Sequence, residues 1–86
     1  MRKVEISTGA VKELTRIKRA DGKLHGQIID AIKTLATTPR PDGCTKLTGR
    51  DAYRVRVRDY RVLYTVNDGE LVVLVVKVGK RGSVYE

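Results

Sequence analysis

The chain predicts an α+β domain in which two N-terminal helices pack on one face of a small, mostly antiparallel sheet. Two observations carry this. Between Val11 and Leu35 the apolar residues recur at helical spacing, whereas from Tyr53 onward the period changes to two. The 86 residues suffice for one modest core, and no linker or repeat divides them, so residues 1–86 read as a single domain.

The elements follow in order. "RKVEIS" alternates Val4 with charged neighbours and predicts a short first strand. Ser7 or Thr8 is placed to cap a helix whose apolar positions are Val11, Leu14 and Ile17. "RADGK" breaks that helix, with Gly22 supplying the turn. A second helix from about Leu24 carries the stripe Leu24, Ile28, Ala31, Ile32 and Leu35. "TTPRPDG" ends it, because Pro39 and Pro41 cannot continue a helix. Tyr53 to Arg58 and Tyr60 to Val66 then read as neighbouring strands with Asp59 at the break, and "NDG" at 67–69 is a turn signal. "ELVVLVVKV" is nearly continuous apolar sequence, the pattern of a central strand covered on both sides.

Composition narrows the function. A formal charge of +8 on so short a chain points to a polyanion or an acidic partner. No apolar run reaches transmembrane length and the N-terminus lacks a signal-peptide centre, so a cytoplasmic protein without a membrane partner is expected. The single cysteine, Cys44, cannot close an internal disulfide. His25 reads as a surface or packing histidine. Acidic residues are scattered without metal-ligand spacing, so no cofactor and metal-independent chemistry are expected.

The basic residues cluster. Side chains alternate across a strand, which sends Val55 and Val57 to one side and Arg54, Arg56 and Arg58 to the other. Same-face neighbours then lie roughly 6.5–7 Å apart, where guanidiniums repel weakly unless an anion shares them. Lys46 and Arg50 precede this stretch, Arg61 opens the next strand, and Lys80 and Arg81 follow the last. Arginine's planar fork suits a phosphodiester, and Tyr85 beside the cluster offers a ring to stack or a hydroxyl for proton transfer.

These residues carry a resemblance. Lys46-Leu47, Gly49, Tyr53-Arg54-x-Arg56, Tyr60-Arg61-x-x-Tyr64, Gly79-x-Arg81 and Val84-Tyr85 together resemble the RelE/ParE superfamily of toxins from bacterial and archaeal toxin–antitoxin systems. The upstream helical pair fits as well. The resemblance implies the RelE branch: a messenger RNA endonuclease acting in the ribosomal A site, where the 2′-hydroxyl attacks the adjacent phosphate to leave a cyclic phosphate and a free 5′-hydroxyl. It implies catalytic roles for Arg54, Arg56, Arg61, Arg81 and Tyr85, with Lys46, Arg50, Arg58 and Lys80 as further RNA or ribosome contacts. The implied partners are the ribosome, messenger RNA and a cognate antitoxin bound as a hetero-oligomer.

Arg61 and Arg81 then stabilise the charge developing at phosphorus, and Tyr85 is the candidate base. The family pattern often has lysine where this chain has Arg54 and Arg56. Arginine is a poor acid, so either these two act only electrostatically or another group supplies the leaving group's proton. Two other readings stand beside this one: a ParE-like DNA gyrase inhibitor without nuclease chemistry, and a non-catalytic RNA-binding module.

Overall fold

The computed structural model describes residues 1–47, 49 and 51–80. Strand β1 (Lys3–Ile6) leads into helices α1 (Thr8–Ala20) and α2 (Gly22–Thr34), followed by β2 (Thr45–Lys46), β3 (Ala52–Val57), β4 (Tyr60–Asn67) and β5 (Val72–Lys80). The five strands form one sheet in the order β1-β5-β4-β3-β2; β1 and β5 are parallel and the other pairs antiparallel. Both helices lie on one face, which is the predicted α+β arrangement.

Local chemistry sets the helix ends. The Ser7 hydroxyl accepts from the Ala10 amide at 3.2 Å and caps α1, while Lys18 and Arg19 in the last turn oppose the negative end of its dipole. Asp21 serves both helices: its amide bonds the Ile17 carbonyl at 2.7 Å, and its carboxylate accepts from the Leu24 amide at 3.1 Å. Asp21, in extended backbone at φ −155, therefore makes the corner, and Gly22 is the first residue of α2 rather than the turn. The buried stripe of α1 is Ala10, Leu14 and Ile17; Val11, expected inside, is 47% exposed. These residues and Leu24, Ile28, Ile32 and Leu35 of the α2 segment pack on Val55, Val62, Tyr64, Val73, Val75 and Val78.

Strand β5 departs from the expectation of cover on both sides. Its helix-facing residues are buried, but Leu74 and Val76 are 38% and 45% exposed on the opposite face. The register also slips. Leu63 faces Lys77 while Tyr64 faces Val75, so Val76 is an extra residue without an opposite number. The Ser7 hydroxyl donates to the Val76 carbonyl at 2.7 Å, satisfying a group that the bulge takes out of the ladder.

Two turn residues sit in left-handed backbone, Arg58 at φ 56 and Leu71 at φ 57. The β4–β5 turn thus strains Leu71, not the glycine of "NDG". An L-residue there costs roughly 1–2 kcal/mol, against which glycine's greater unfolded-state freedom subtracts part. Leu71 is exposed, so little packing is lost on replacing it. Leu71→Gly is expected to raise the unfolding free energy by about 0.5–1 kcal/mol, measured by urea titration; a loss of stability would show that the side chain contributes more than the backbone conformation costs.

Candidate functional site

The helix-free face of the sheet carries the arginines. Register places Arg56 directly opposite Arg61 and Arg54 opposite Leu63, all on the side away from the helices. Opposed Cβ atoms across such a pair lie roughly 4.5–5.5 Å apart, so two guanidiniums are rooted side by side. Beyond Arg61 the next residue across the sheet is Gly79, which has no side chain to fill the space. A shallow cavity of about 50 Å³ opens at this end of the hairpin, lined by Arg56, Arg58, Asp59, Tyr60 and Arg61. One water needs roughly 10–15 Å³, so the space takes a group of several heavy atoms. Among the described residues three cations there face one carboxylate, a charge balance that favours an anion.

This face also holds a small second core that the alternation does not announce. Leu47 folds over from the loop after β2, its amide bonded to the Ala52 carbonyl at 2.9 Å, and buries Leu63 beside Ala52. Leu63 is the residue opposite Arg54, so the half-buried Arg54 emerges at the margin of this apolar patch while Arg56 is exposed. The sequence signal was Leu63 itself, an apolar residue in phase with Arg61.

Lys77, opposite Leu63, shares the face and was not foreseen, whereas other predicted basic residues do not. Arg58 is not a third strand arginine: β3 ends at Val57, and Arg58 occupies the two-residue turn, its guanidinium 4.0 Å from Asp21 at the helix corner. Lys80 lies opposite Tyr60 on the helix side, where it lines a cleft with Asp21 and Leu24. Lys46 pairs with Tyr53, which puts it on the helix side of the edge strand, 3.9 Å from Asp51. Arg50, Arg81 and Tyr85 lie outside the described residues.

A polar clasp at the other end of the sheet was not foreseen. Arg40 donates to the Tyr53 hydroxyl at 3.0 Å with its guanidinium 5.2 Å from the centre of the Tyr53 ring, and Tyr53 stacks on Tyr64 at 5.8 Å. Asp68 accepts from Arg40 at 3.0 Å and from Arg2 at 2.9 Å. Those two hydrogen bonds hold the Asp68 carboxyl below the usual carboxylate range. Tyr64 is fully buried, its hydroxyl donating to the Pro39 carbonyl at 2.7 Å. The clasp ties the loop after α2 to β3 and to the β4–β5 turn.

A second concavity lies along β1. An apolar groove of about 510 Å³ is lined by Val4 and Ile6 of β1 and by Ile29, Ile32 and Ala36, with Met1, Arg2 and Lys33 at its rim. The Lys3 and Ser7 amides bond to β5, so the intervening Val4 and Ile6 amides face the open edge of the sheet. Arg2 Nε is buried there without an acceptor among the described residues. No helix is long and apolar enough to cross a membrane among the described residues.

Comparison with known proteins identifies the family. Residues 4–85 match the model described as the ParE toxin of type II toxin–antitoxin system, parDE. A Methanocaldococcus jannaschii protein named RelE1 is 27% identical over 84 residues, covering 96% of this chain and 93% of its own. The RelE chain of the Escherichia coli RelBE toxin–antitoxin complex superposes with a TM-score of 0.79 at 28% identity, over 93% of this chain and 96% of that one. The archaeal RelE–RelB complex from Pyrococcus horikoshii gives 0.76 at 29% identity, over 96% and 98%. With its sequence matched almost end to end and its helices and sheet superposing on those toxins, the chain belongs to the RelE/ParE superfamily of type II toxin–antitoxin toxins.

Proposed function

We propose that this toxin is a ribosome-dependent messenger RNA endonuclease that cleaves in the A site. The carrying observation is the Arg56–Arg61 pair, two fixed cations rooted side by side on an exposed sheet face next to an anion-sized cavity. Holding like charges together costs folding energy, and a phosphate shared between them turns that cost into binding. In the proposed reaction the 2′-oxygen attacks phosphorus as its bond to the 5′-oxygen breaks, leaving a 2′,3′-cyclic phosphate and a 5′-hydroxyl. Arg61 and Arg81 stabilise the charge on the pentacoordinate phosphorus. Tyr85 takes the proton from the 2′-hydroxyl; a free phenol ionises near pH 10, and neighbouring cations favour its phenolate. Arg54 and Arg56 act as fixed charges, because a guanidinium does not release its proton near neutral pH; the departing 5′-oxygen takes its proton from water or a ribosomal group.

Mapping transcript 5′ ends after induction tests this reading, with Arg81→Ala and Tyr85→Phe as controls. Codon-phased cuts bearing 5′-hydroxyls, lost in both variants, are expected. The alternative is gyrase poisoning, favoured by the ParE description of the matching family. DNA damage without transcript cuts would establish it and end the nuclease reading.

The cognate antitoxin is proposed to dock in the groove beside β1. The groove offers aliphatic lining, outward-facing edge amides and the buried Arg2 donor, with Arg2 and Lys33 supplying positive charge at its rim. An acidic segment with alternating apolar residues, added as a strand, complements all of these. Ile29→Asp is expected to weaken antitoxin binding at least tenfold in titration while transcript cutting persists, because the arginines lie across the sheet. Undiminished antitoxin binding would move the docking site elsewhere.

A further inference from the structure

We propose that Lys77 supplies the proton that a water passes to the departing 5′-oxygen, an inference that rests on the RNA-cleaving reading above. Cleavage by the 2′-hydroxyl moves two protons: one leaves the 2′-oxygen and one arrives on the 5′-oxygen. Tyr85 is assigned the first, and the arginines hold theirs too tightly to give the second. A departing alkoxide is far more basic than an amine. A lysine ammonium, an acid of pKa about 10.4 in water, therefore protonates it downhill.

Register puts Lys77 beside the arginine pair. Arg54, Leu63 and Lys77 form one row across the helix-free face, and Arg56, Arg61 and Gly79 form the next. Lys77 is thus diagonal to Arg61, their roots roughly 7–8 Å apart. Gly79, the one neighbour to both, has no side chain to stand between them. A phosphate shared by Arg56 and Arg61 then lies within reach of a four-carbon stem and one water. Lys77 is exposed, and among the described residues no hydrogen bond or ion pair holds its ammonium.

The bulge in β5 is what aims this lysine. Val73 and Val75 are buried under the helices, and unbroken alternation would send Lys77 the same way. The extra residue at Val76 reverses the phase and turns Lys77 onto the arginine face. Bulges recur beside active sites, where they re-aim a side chain. The Ser7 hydroxyl, bonded to the Val76 carbonyl at 2.7 Å, fastens this one to the start of α1. No other described lysine is so placed: Lys46 and Lys80 lie on the helix side, Lys3 is opposite Val72 at the far end of β5, and the rest are on the helices. In the step itself an N–H bond of Lys77 breaks as its proton passes to the water. An O–H bond of that water breaks in turn, and the electron pair of the broken P–O bond takes the proton at the 5′-oxygen. Lys77 is left as an amine and Tyr85 as a phenol, and solvent carries the proton back from one to the other.

Replacing the leaving oxygen by sulfur tests this. Ribosomes are programmed with a short message cut at a mapped linkage, carrying either oxygen or sulfur at its bridging 5′ position. A thiol ionises near pH 8.5, so the sulfur departs as a thiolate and needs no proton. Lys77→Met and Lys77→Arg are each expected to slow single-turnover cleavage of the oxygen message by about 10²-fold and to cut the sulfur message within about threefold of the wild type. Arg61→Ala, which removes a charge stabiliser, should be slow on both messages. Equal losses on the two messages would make Lys77 a phosphate contact and overturn the proposal. A wild-type rate on the oxygen message, in either variant, overturns it as well: in Lys77→Arg it would mean that charge alone suffices, and in Lys77→Met that the proton comes from the ribosome. In all of these cases the nuclease reading stands. A wild-type toxin that leaves the oxygen message uncut ends both.

Discussion

Arg61→Ala is expected to slow single-turnover cleavage of ribosome-bound message by about 10²–10³-fold, the usual loss when one fixed donor is removed from a developing oxyanion. Arg61 is only half-buried and stands across from another arginine. Its removal relieves repulsion from Arg56, and the unfolding free energy should move by less than about 1 kcal/mol. Activity and stability therefore part company, which a mere packing defect would not produce. Arg61→Lys should fall between the two, keeping a point charge and losing the two-pronged donor. Wild-type cleavage by Arg61→Ala, with message bound, would remove Arg61 from the site.

What the sequence made legible at this site was whatever depends on strand alternation alone. Arg54 and Arg56 share a face because side chains alternate, and Arg61 joins them because a short hairpin sets two strands in register. The failures occur where the chain leaves that rule. At Arg58 the chain reverses, and the residue turns toward Asp21 instead of extending the row. Lys80 lies off the arginine face for a different reason. In an unbroken strand, residues 76, 78 and 80 would face away from the buried Val73 and Val75, on the arginine side. The extra residue at Val76 shifts the phase by one, burying Val78 and carrying Lys80 to the helix side. The bulge also explains why the run "ELVVLVVKV" looks covered on both sides: its apolar residues serve a phase change within a strand that has one buried face. The contribution of Leu47 was hidden because it depends on a loop folding back over the sheet, which no local period encodes.

The helical half was more legible, because a stripe at helical spacing fixes the buried face. The miss at Val11 is a rotation of that stripe about the α1 axis. Ala10 is inside because Ser7 starts the helix in the phase that turns Ala10 into the core shared with β5.

The largest effect on stability is expected at Tyr64, which joins the arginine strands to the rest of the molecule. It is fully buried between the helices and the sheet, stacks on Tyr53 beside Arg54, and donates to the Pro39 carbonyl of the loop after α2. Tyr64→Ala removes a buried aromatic ring and should cost about 3–5 kcal/mol, a large share of the 5–15 kcal/mol typical of a whole domain. Tyr64→Phe keeps the ring, loses one hydrogen bond and should cost about 1 kcal/mol. Burial, reinforced by the nearby Cys44 thiol, pushes the Tyr64 phenol well above its ordinary value near 10. The unfolded chain therefore releases this proton as the pH passes about 10 while the folded chain keeps it, so stability declines with further rise in pH. Tyr64→Phe has no such proton, and its urea midpoint should fall less steeply than the wild type's between neutral pH and pH 11. Parallel declines would mean that the phenol ionises equally in both states, and that its hydroxyl is not held by Pro39.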